Sequence, residues 1–466
     1  MITGSAGSGK SNELRPLMEQ SFALGHKSIV YDPSGNFTEL YFRPGKDILF
    51  GPANQIITKD GEIIRAVGWS IYKEIDLVTD GKLVASAIVQ EADGNEKFWA
   101  DSARKILSNL LVEQRKRGHT ATGDLLRMFV EEFKQELISV LSTTQASTLV
   151  GDLTTTASMN MMQTVCTALE GLGLVQDGDF SIRNFICDQN SDARVFITGQ
   201  VAREELMPLY RVILTLAFNE LSLLPEANNE IRCAFFLDEF ASLGKLPTIS
   251  TVLNEMRKYG AMLVCVSQTT SLIRKVYGQD NGKNLLSSFQ NLAVYRTQME
   301  EEEKLLAGLL GKQEVIRKNI NLTIAVQSNR DGMSENVQQV EQYIVHPSEL
   351  HLMKIGQCYV RFSGENPVLI DNSLNGDVIG LAKGVLIGKT AKPNRKFIVF
   401  DKNNQKVGEG VSDDSCSLSV PVESVYDSYK DFYLVVPPLT HPLNDGISLE
   451  LNPDLKLTIQ KLGIDW

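Results

Sequence analysis

One short stretch near the amino end has residue types and spacing suited to phosphate chemistry. Gly4-Ser5-Ala6-Gly7-Ser8-Gly9-Lys10-Ser11 fits G-x-x-x-x-G-K-[ST] at every fixed position. Gly4, Gly7 and Gly9 let main-chain N–H groups curl around phosphate oxygens with no Cβ in the way, and Ser5, Ala6 and Ser8 complete the cradle. In such a loop the lysine, here Lys10, reaches the β- and γ-phosphates, and the hydroxyl of Ser11 ligates Mg2+. The helix that follows turns its positive end toward the anion. Pro16 falls in the second turn of that helix, where it deletes a backbone hydrogen bond. A flexible Gly/Ser-rich start is the competing reading of so short a pattern.

A second stretch, CAFFLDEF (233–240), is an apolar strand ending in Asp238 and Glu239. Asp238 is placed to hold Mg2+ through water, and Glu239 to orient and deprotonate an attacking water. By itself such a pair is an ordinary solvated acidic turn; a phosphate loop on the same chain favours the catalytic reading. In VCVSQ (264–268), Gln268 ends a strand and could sense a γ-phosphate, or serve as a plain strand-end amide. Arg296, in VYRT, either reaches a neighbouring subunit's nucleotide or caps a strand with its charge in solvent. GVLIGKT (384–390) imitates the loop but has three residues between its glycines instead of four, so a strand and polar turn explains it better. KRGH and RKNIN read as solvated charge.

These groups need a scaffold of strands and helices. KSIVYD (27–32), ARVFIT (193–198), RCAFFLD (232–238), AMLVCVS (261–267) and NLAVYRT (291–297) are continuously apolar, as expected for parallel strands buried on both faces. Only Met1, Ile2 and Thr3 precede Gly4, too few for the strand that normally holds such a loop. The expectation is that this strand is missing with a lost amino-terminal segment.

Residues 1–82 and 190–375 read as two parts of one nucleotide-binding α/β domain. Residues 83–189, with FWADSARKILSNLLVEQRKRG and DLLRMFVEEFKQELISVL at helical spacing, read as an all-helical insertion. Residues 376–466 read as a small β-rich accessory domain, sandwich-like, with Gly, Asp and Pro punctuation.

Composition sets the outer limits. The 466 residues allow two or three domains, and 43% hydrophobic with 22% charged residues argues against disorder. A net charge of −11 repels nucleic acid over the surface as a whole, so any DNA contact needs a locally basic channel. Cys166, Cys187, Cys233, Cys265, Cys358 and Cys416 are scattered and read as reduced thiols, mostly in the core. No window approaches the roughly 18 apolar residues of a membrane helix, and no signal segment opens the chain.

Taken together, the stretches GSAGSGKS, IVYDPSGNFTELYF, FWADSARKILSNLL, FFLDEFASLGKLPTI, LNEMRKYGAMLVCVSQ and IRKVYGQDNGKNLL resemble the coupling ATPases of type IV secretion and conjugation, of the TraD/TraG type. NLAVYRTQMEEEEKLLAGLLGKQEV and GQCYVRFSGENPVLI extend the likeness over about residues 2–372, and YDPSGNF matches the F-type branch. The resemblance implies an α/β fold: a RecA-like P-loop NTPase domain, a mainly parallel sheet between helices, with an inserted all-helical domain and the β-rich appendage. It implies ATP and Mg2+ as cofactors, with Lys10, Ser11, Asp238, Glu239 and Gln268 serving them and Arg296 acting between subunits.

Implied partners are single-stranded DNA bound with little sequence preference, relaxase and relaxosome proteins, the type IV secretion channel, and further copies of the chain in a hexamer. The implied location is the cytoplasmic face of the bacterial inner membrane, reached through an amino-terminal segment that this sequence lacks. Other readings are a receptor platform with little motor activity, another RecA-like DNA pump, and a fragment unable to hydrolyse nucleotide.

Overall fold

The computed structural model describes residues 1–52, 55–57, 63–92, 94–130, 132, 134–150, 156–199, 203–228, 230–323 and 332–371; beyond these it describes strands at 377–382, 385–389, 396–401, 406–411, 417–421 and 432–435. The chain divides into two compact units. Met1–Thr3 with Leu14–Gln290 forms the first, and Gly4–Glu13 with Asn291–Trp466 the second.

The first unit is built on a parallel sheet. Its strands run in the order Ile2–Thr3, Ala261–Ser267, Cys233–Leu237, Lys27–Tyr31, Arg194–Ile197, Ile48–Phe50. Each neighbouring pair is parallel. Every residue of Lys27–Tyr31, Arg194–Ile197 and Cys233–Leu237 is buried, in keeping with their largely apolar make-up.

The strand expected to be missing before Gly4 is present in minimal form. Ile2–Thr3 is a buried two-residue strand in register with Val266 and Ser267. That pairing holds the residues entering the loop in the sheet.

The helix Arg203–Leu223 packs within this unit through buried Leu206, Leu209, Val212, Ile213 and Leu216. By length and composition its Glu204–Leu223 portion is long and apolar enough to cross a membrane, contrary to the sequence expectation, but 72% of the apolar window is buried inside the protein. A helix covering a parallel sheet is apolar on most of its circumference, and that produces the membrane-like signal.

Between the Ile63–Arg65 and Arg194–Ile197 strands the described residues carry a run of helices. Val78–Ile88, Lys97–Lys116, Thr122–Arg127, Lys134–Leu141, Ser147–Val150, Thr156–Leu169 and Ile182–Cys187 follow one another. Ala103, Ile106, Leu107, Leu110 and Leu111 bury one face of Lys97–Lys116 at the expected helical spacing. A buried carboxylate, Glu74, braces the base of this region: it accepts from the Trp69 indole at 3.0 Å and the Ile182 N–H at 2.8 Å. Burial pushes its pKa upward.

In the second unit Leu292–Tyr295 pairs antiparallel with Gln357–Arg361, which pairs antiparallel with Val368–Asp371. NLAVYRT supplies the strand Leu292–Tyr295, as its apolar run predicts. Lys312–Thr323 and Gly332–Tyr343 form an antiparallel ribbon in register from Lys312↔Tyr343 to Thr323↔Gly332. RKNIN, read as plain solvated charge, therefore belongs to a strand, and a ribbon with exposed Glu314, Ile316, Arg317 and Val337 carries no clear apolar alternation.

The carboxyl-terminal strands form two three-stranded antiparallel sheets, in the orders Asp377–Ala382, Val385–Lys389, Ser417–Pro421 and Lys406–Val411, Lys396–Asp401, Phe432–Val435. GVLIGKT supplies the strand Val385–Lys389, while Gly384, Thr390 and Cys416 lie outside the described residues.

Candidate functional site

The glycine-rich loop belongs to the second unit and is held from within it. Gly4, Gly7 and Gly9 have φ of 152°, 70° and 109°. At Gly4 the requirement is steric as well, because a Cβ there would lie 2.5 Å from the Cβ of Tyr295. The Ser5 N–H and hydroxyl both donate to the Arg296 carbonyl, at 2.8 and 3.0 Å. The Gly356 N–H donates to the Ser8 carbonyl at 2.9 Å.

Lys10 opens the helix Lys10–Ala23, which continues through Pro16. Its ammonium donates to the carbonyls of Gly4 and Ser5, each at 2.8 Å, so the charge is drawn back over the loop instead of extending into solvent. Ala6, Gly7 and Ser11 are exposed. The Ser8 hydroxyl is buried with no hydrogen-bond partner among the described residues. Left-handed glycines, a retained ammonium, an orphaned hydroxyl and a helix amino terminus together fit a phosphate group. The Ser11 hydroxyl at the open side fits the magnesium that accompanies one.

The acidic pair belongs to the first unit. The Asp238 N–H donates to the Tyr31 carbonyl at 3.0 Å, tying the end of its strand to the neighbouring one. Glu239 is left-handed, φ 62° and ψ 47°, a conformation that costs a non-glycine residue about 1 kcal/mol or more. Its carbonyl accepts from the Ser242 N–H at 2.9 Å and the Ser242 hydroxyl at 2.8 Å. That hydroxyl lies 2.9 Å from the Tyr31 hydroxyl. The side-chain amide of Gln268, one residue past the Ala261–Ser267 strand, donates to Glu239 Oε2 at 2.8 Å.

The segment after Glu239 is clamped. Buried Arg211 donates to the carbonyls of Ala87, Ile88 and Leu243 at 2.7, 3.2 and 3.0 Å, and burial lowers its pKa to about 10. The Gln90 amide donates to the Lys245 carbonyl at 2.9 Å, and the Tyr277 ring stacks on Phe240. The helical insertion thereby reaches the turn that carries the acids. Cys233 and Cys265 are buried within their strands, their thiols pushed up to about 12 by burial; Cys358 is buried and Cys187 exposed.

Sequence reasoning named the loop, both acids, Gln268 and Arg296, but missed what positions them. Arg296 touches the loop through its carbonyl, a role no side-chain argument reveals. Tyr295 offered a faint signal as a bulky residue closing an apolar run; Gly356, Ser242 and Arg211 offered none.

A family profile described as the type IV secretion-system coupling protein DNA-binding domain matches residues 1–370. Coupling protein TraD of Escherichia coli (strain K12) is 22% identical over 455 residues, which cover 92% of this chain and 62% of TraD. Conjugal transfer protein TraG of Agrobacterium fabrum (strain C58) is 25% identical over 293 residues, covering 58% of this chain and 40% of TraG. The chain thus spans less than two thirds of either relative. Among solved structures, plasmid coupling protein TrwB in complex with ADP and Mg2+ is similar with a TM-score of 0.65 and 25% identity, covering 80% of this chain and 84% of that one. The TrwB complex with a non-hydrolysable ATP analogue matches to the same extent, with a TM-score of 0.65.

Proposed function

The chain belongs to the type IV secretion-system coupling proteins, and on that premise we propose that it is the ATPase portion of a conjugative DNA-transfer coupling protein. It would move or deliver single-stranded DNA with bound relaxase to the secretion channel. The observation that carries this reading is the loop Gly4–Ser11, with its left-handed glycines and Lys10 held over it. The nucleotide complexes of TrwB support ATP and Mg2+ as the ligands.

When bound, Mg2+-ATP supplies the cleavable phosphoanhydride and the cation that offsets its charge. Loop N–H groups and the Lys10 ammonium bind the phosphates, and Gly9 leaves room for the turn into the helix. Ser11 and Asp238 would hold the magnesium, Ser11 through its hydroxyl and Asp238 through water. Glu239 takes a proton onto its carboxylate from the attacking water. Gln268 orients that carboxylate and reports on the terminal phosphate. Arg296 offers its guanidinium to the nucleotide of an adjacent copy in a hexameric ring at the cytoplasmic face of the inner membrane.

The test is phosphate release by the 466-residue chain with Mg2+-ATP, with and without single-stranded DNA. Release stimulated by DNA and abolished by Glu239→Gln is expected. A wild-type chain that releases none, or a Glu239→Gln chain as fast as wild type, rejects the reading.

A further inference from the structure

We propose that Tyr295 and Glu13 act as a pair of positioning residues that set the shape of the phosphate loop, an inference that rests on the nucleotide-binding reading above. Tyr295 ends the strand Leu292–Tyr295 and is fully buried. Its Cβ fills the space that a Gly4 side chain would need, 2.5 Å away. Its ring edge, at Cε1, lies 3.4 Å from where a Gly9 Cβ would stand. One side chain therefore underlies both the first and the last glycine of the motif.

The ring alone could be phenylalanine. The hydroxyl instead donates to Glu13 Oε2 at 3.2 Å, and Glu13 lies in the first turn of the helix Lys10–Ala23. A carboxylate in a first turn is favoured by the unpaired N–H groups there, but so is a phosphate, and the two repel each other. Drawing the Glu13 carboxylate onto the Tyr295 phenol holds that charge at one fixed place. It also ties the helix start to the strand on which the loop rests. The adjacent Arg296 carbonyl receives Ser5, so residues 295 and 296 together fasten the loop at its floor, at its entry and at the helix beyond it.

The experiment measures binding of ADP with Mg2+ by calorimetry, and KM and kcat for ATP, on the full chain. Tyr295→Phe keeps the ring and removes the donor; Glu13→Ala removes the acceptor; Glu13→Gln keeps an acceptor oxygen without the charge. Tyr295→Phe and Glu13→Ala are each expected to weaken ADP binding about 3- to 10-fold and raise KM alike with kcat retained, the size of one hydrogen bond. The double variant should be no weaker than either single one, and Glu13→Gln should lie within about two-fold of wild type.

Unchanged binding in Tyr295→Phe, losses that multiply in the double variant, or Glu13→Gln as weak as Glu13→Ala overturns the pairing while leaving nucleotide binding intact. A wild-type chain that binds no ADP overturns the underlying reading, and this inference with it.

Discussion

The Gln268 amide donates to Glu239 Oε2 at 2.8 Å, joining the ends of two neighbouring parallel strands through their side chains. Glu239 holds that position with a left-handed backbone, and Ser242 makes two hydrogen bonds to its carbonyl. Strain retained at a carboxylate of this kind suits a group whose direction matters more than its comfort. Glu239→Gln should lower ATP turnover by about 100-fold or more while leaving ADP affinity within a few-fold, as expected for loss of a general base. Gln268→Ala, which frees the carboxylate without removing it, should cost about 10-fold in kcat. Single-turnover phosphate release with parallel calorimetry checks both.

Lys10→Ala should weaken Mg2+-ADP binding by about 10- to 100-fold, the range for a lost hydrogen-bonded charge on a phosphate. The Gly4 and Ser5 carbonyls that it serves lose a donor as well. Equilibrium binding of a fluorescent ADP analogue reads the effect directly.

Gly4→Ala places a methyl group 2.5 Å from the Tyr295 Cβ, and neither backbone can yield easily. Overpacking of this kind costs about 1–3 kcal/mol. The variant should melt lower and lose nucleotide-dependent stabilisation, both visible in thermal scans with and without ADP and Mg2+.

Arg211→Leu removes three hydrogen bonds to the carbonyls of Ala87, Ile88 and Leu243 at once. Stranding these buried acceptors should destabilise the first unit by about 3 kcal/mol, read from urea midpoints. Because Leu243 follows the acids, ATP turnover should fall under conditions where the variant is still folded.

Glu74 supplies a pH dependence. Burial raises its folded-state pKa above the ordinary 4.5, so the folded chain holds this proton more tightly than the unfolded one. Its contribution is fully present below pH 4.5 and is lost as pH rises through the raised value. Glu74→Gln keeps an acceptor for Trp69 and Ile182 without ionising. Urea midpoints above pH 4.5 should therefore decline less with rising pH in the variant than in the wild type.

Much of the candidate site was legible from residue order alone, because phosphate chemistry would need particular atoms at close spacing along the chain. Gly4 to Ser11 must be contiguous to wrap one anion, and Asp238 and Glu239 must follow an apolar strand to stand at its end. The largely apolar runs at 27–31, 194–197 and 233–237 pointed to buried strands, since burial on both faces leaves no polar alternation.

Tertiary structure decided what supports those atoms. Ile2–Thr3 was too short to announce a strand and becomes one only because Val266 and Ser267 lie alongside. Tyr295, Arg296 and Gly356 reach the loop from positions far along the chain, two of them through main-chain groups that every residue type possesses. Local chemistry writes itself into residue type and spacing; a contact made by a carbonyl, or by a ring filling a space left by glycine, exists only once distant segments meet.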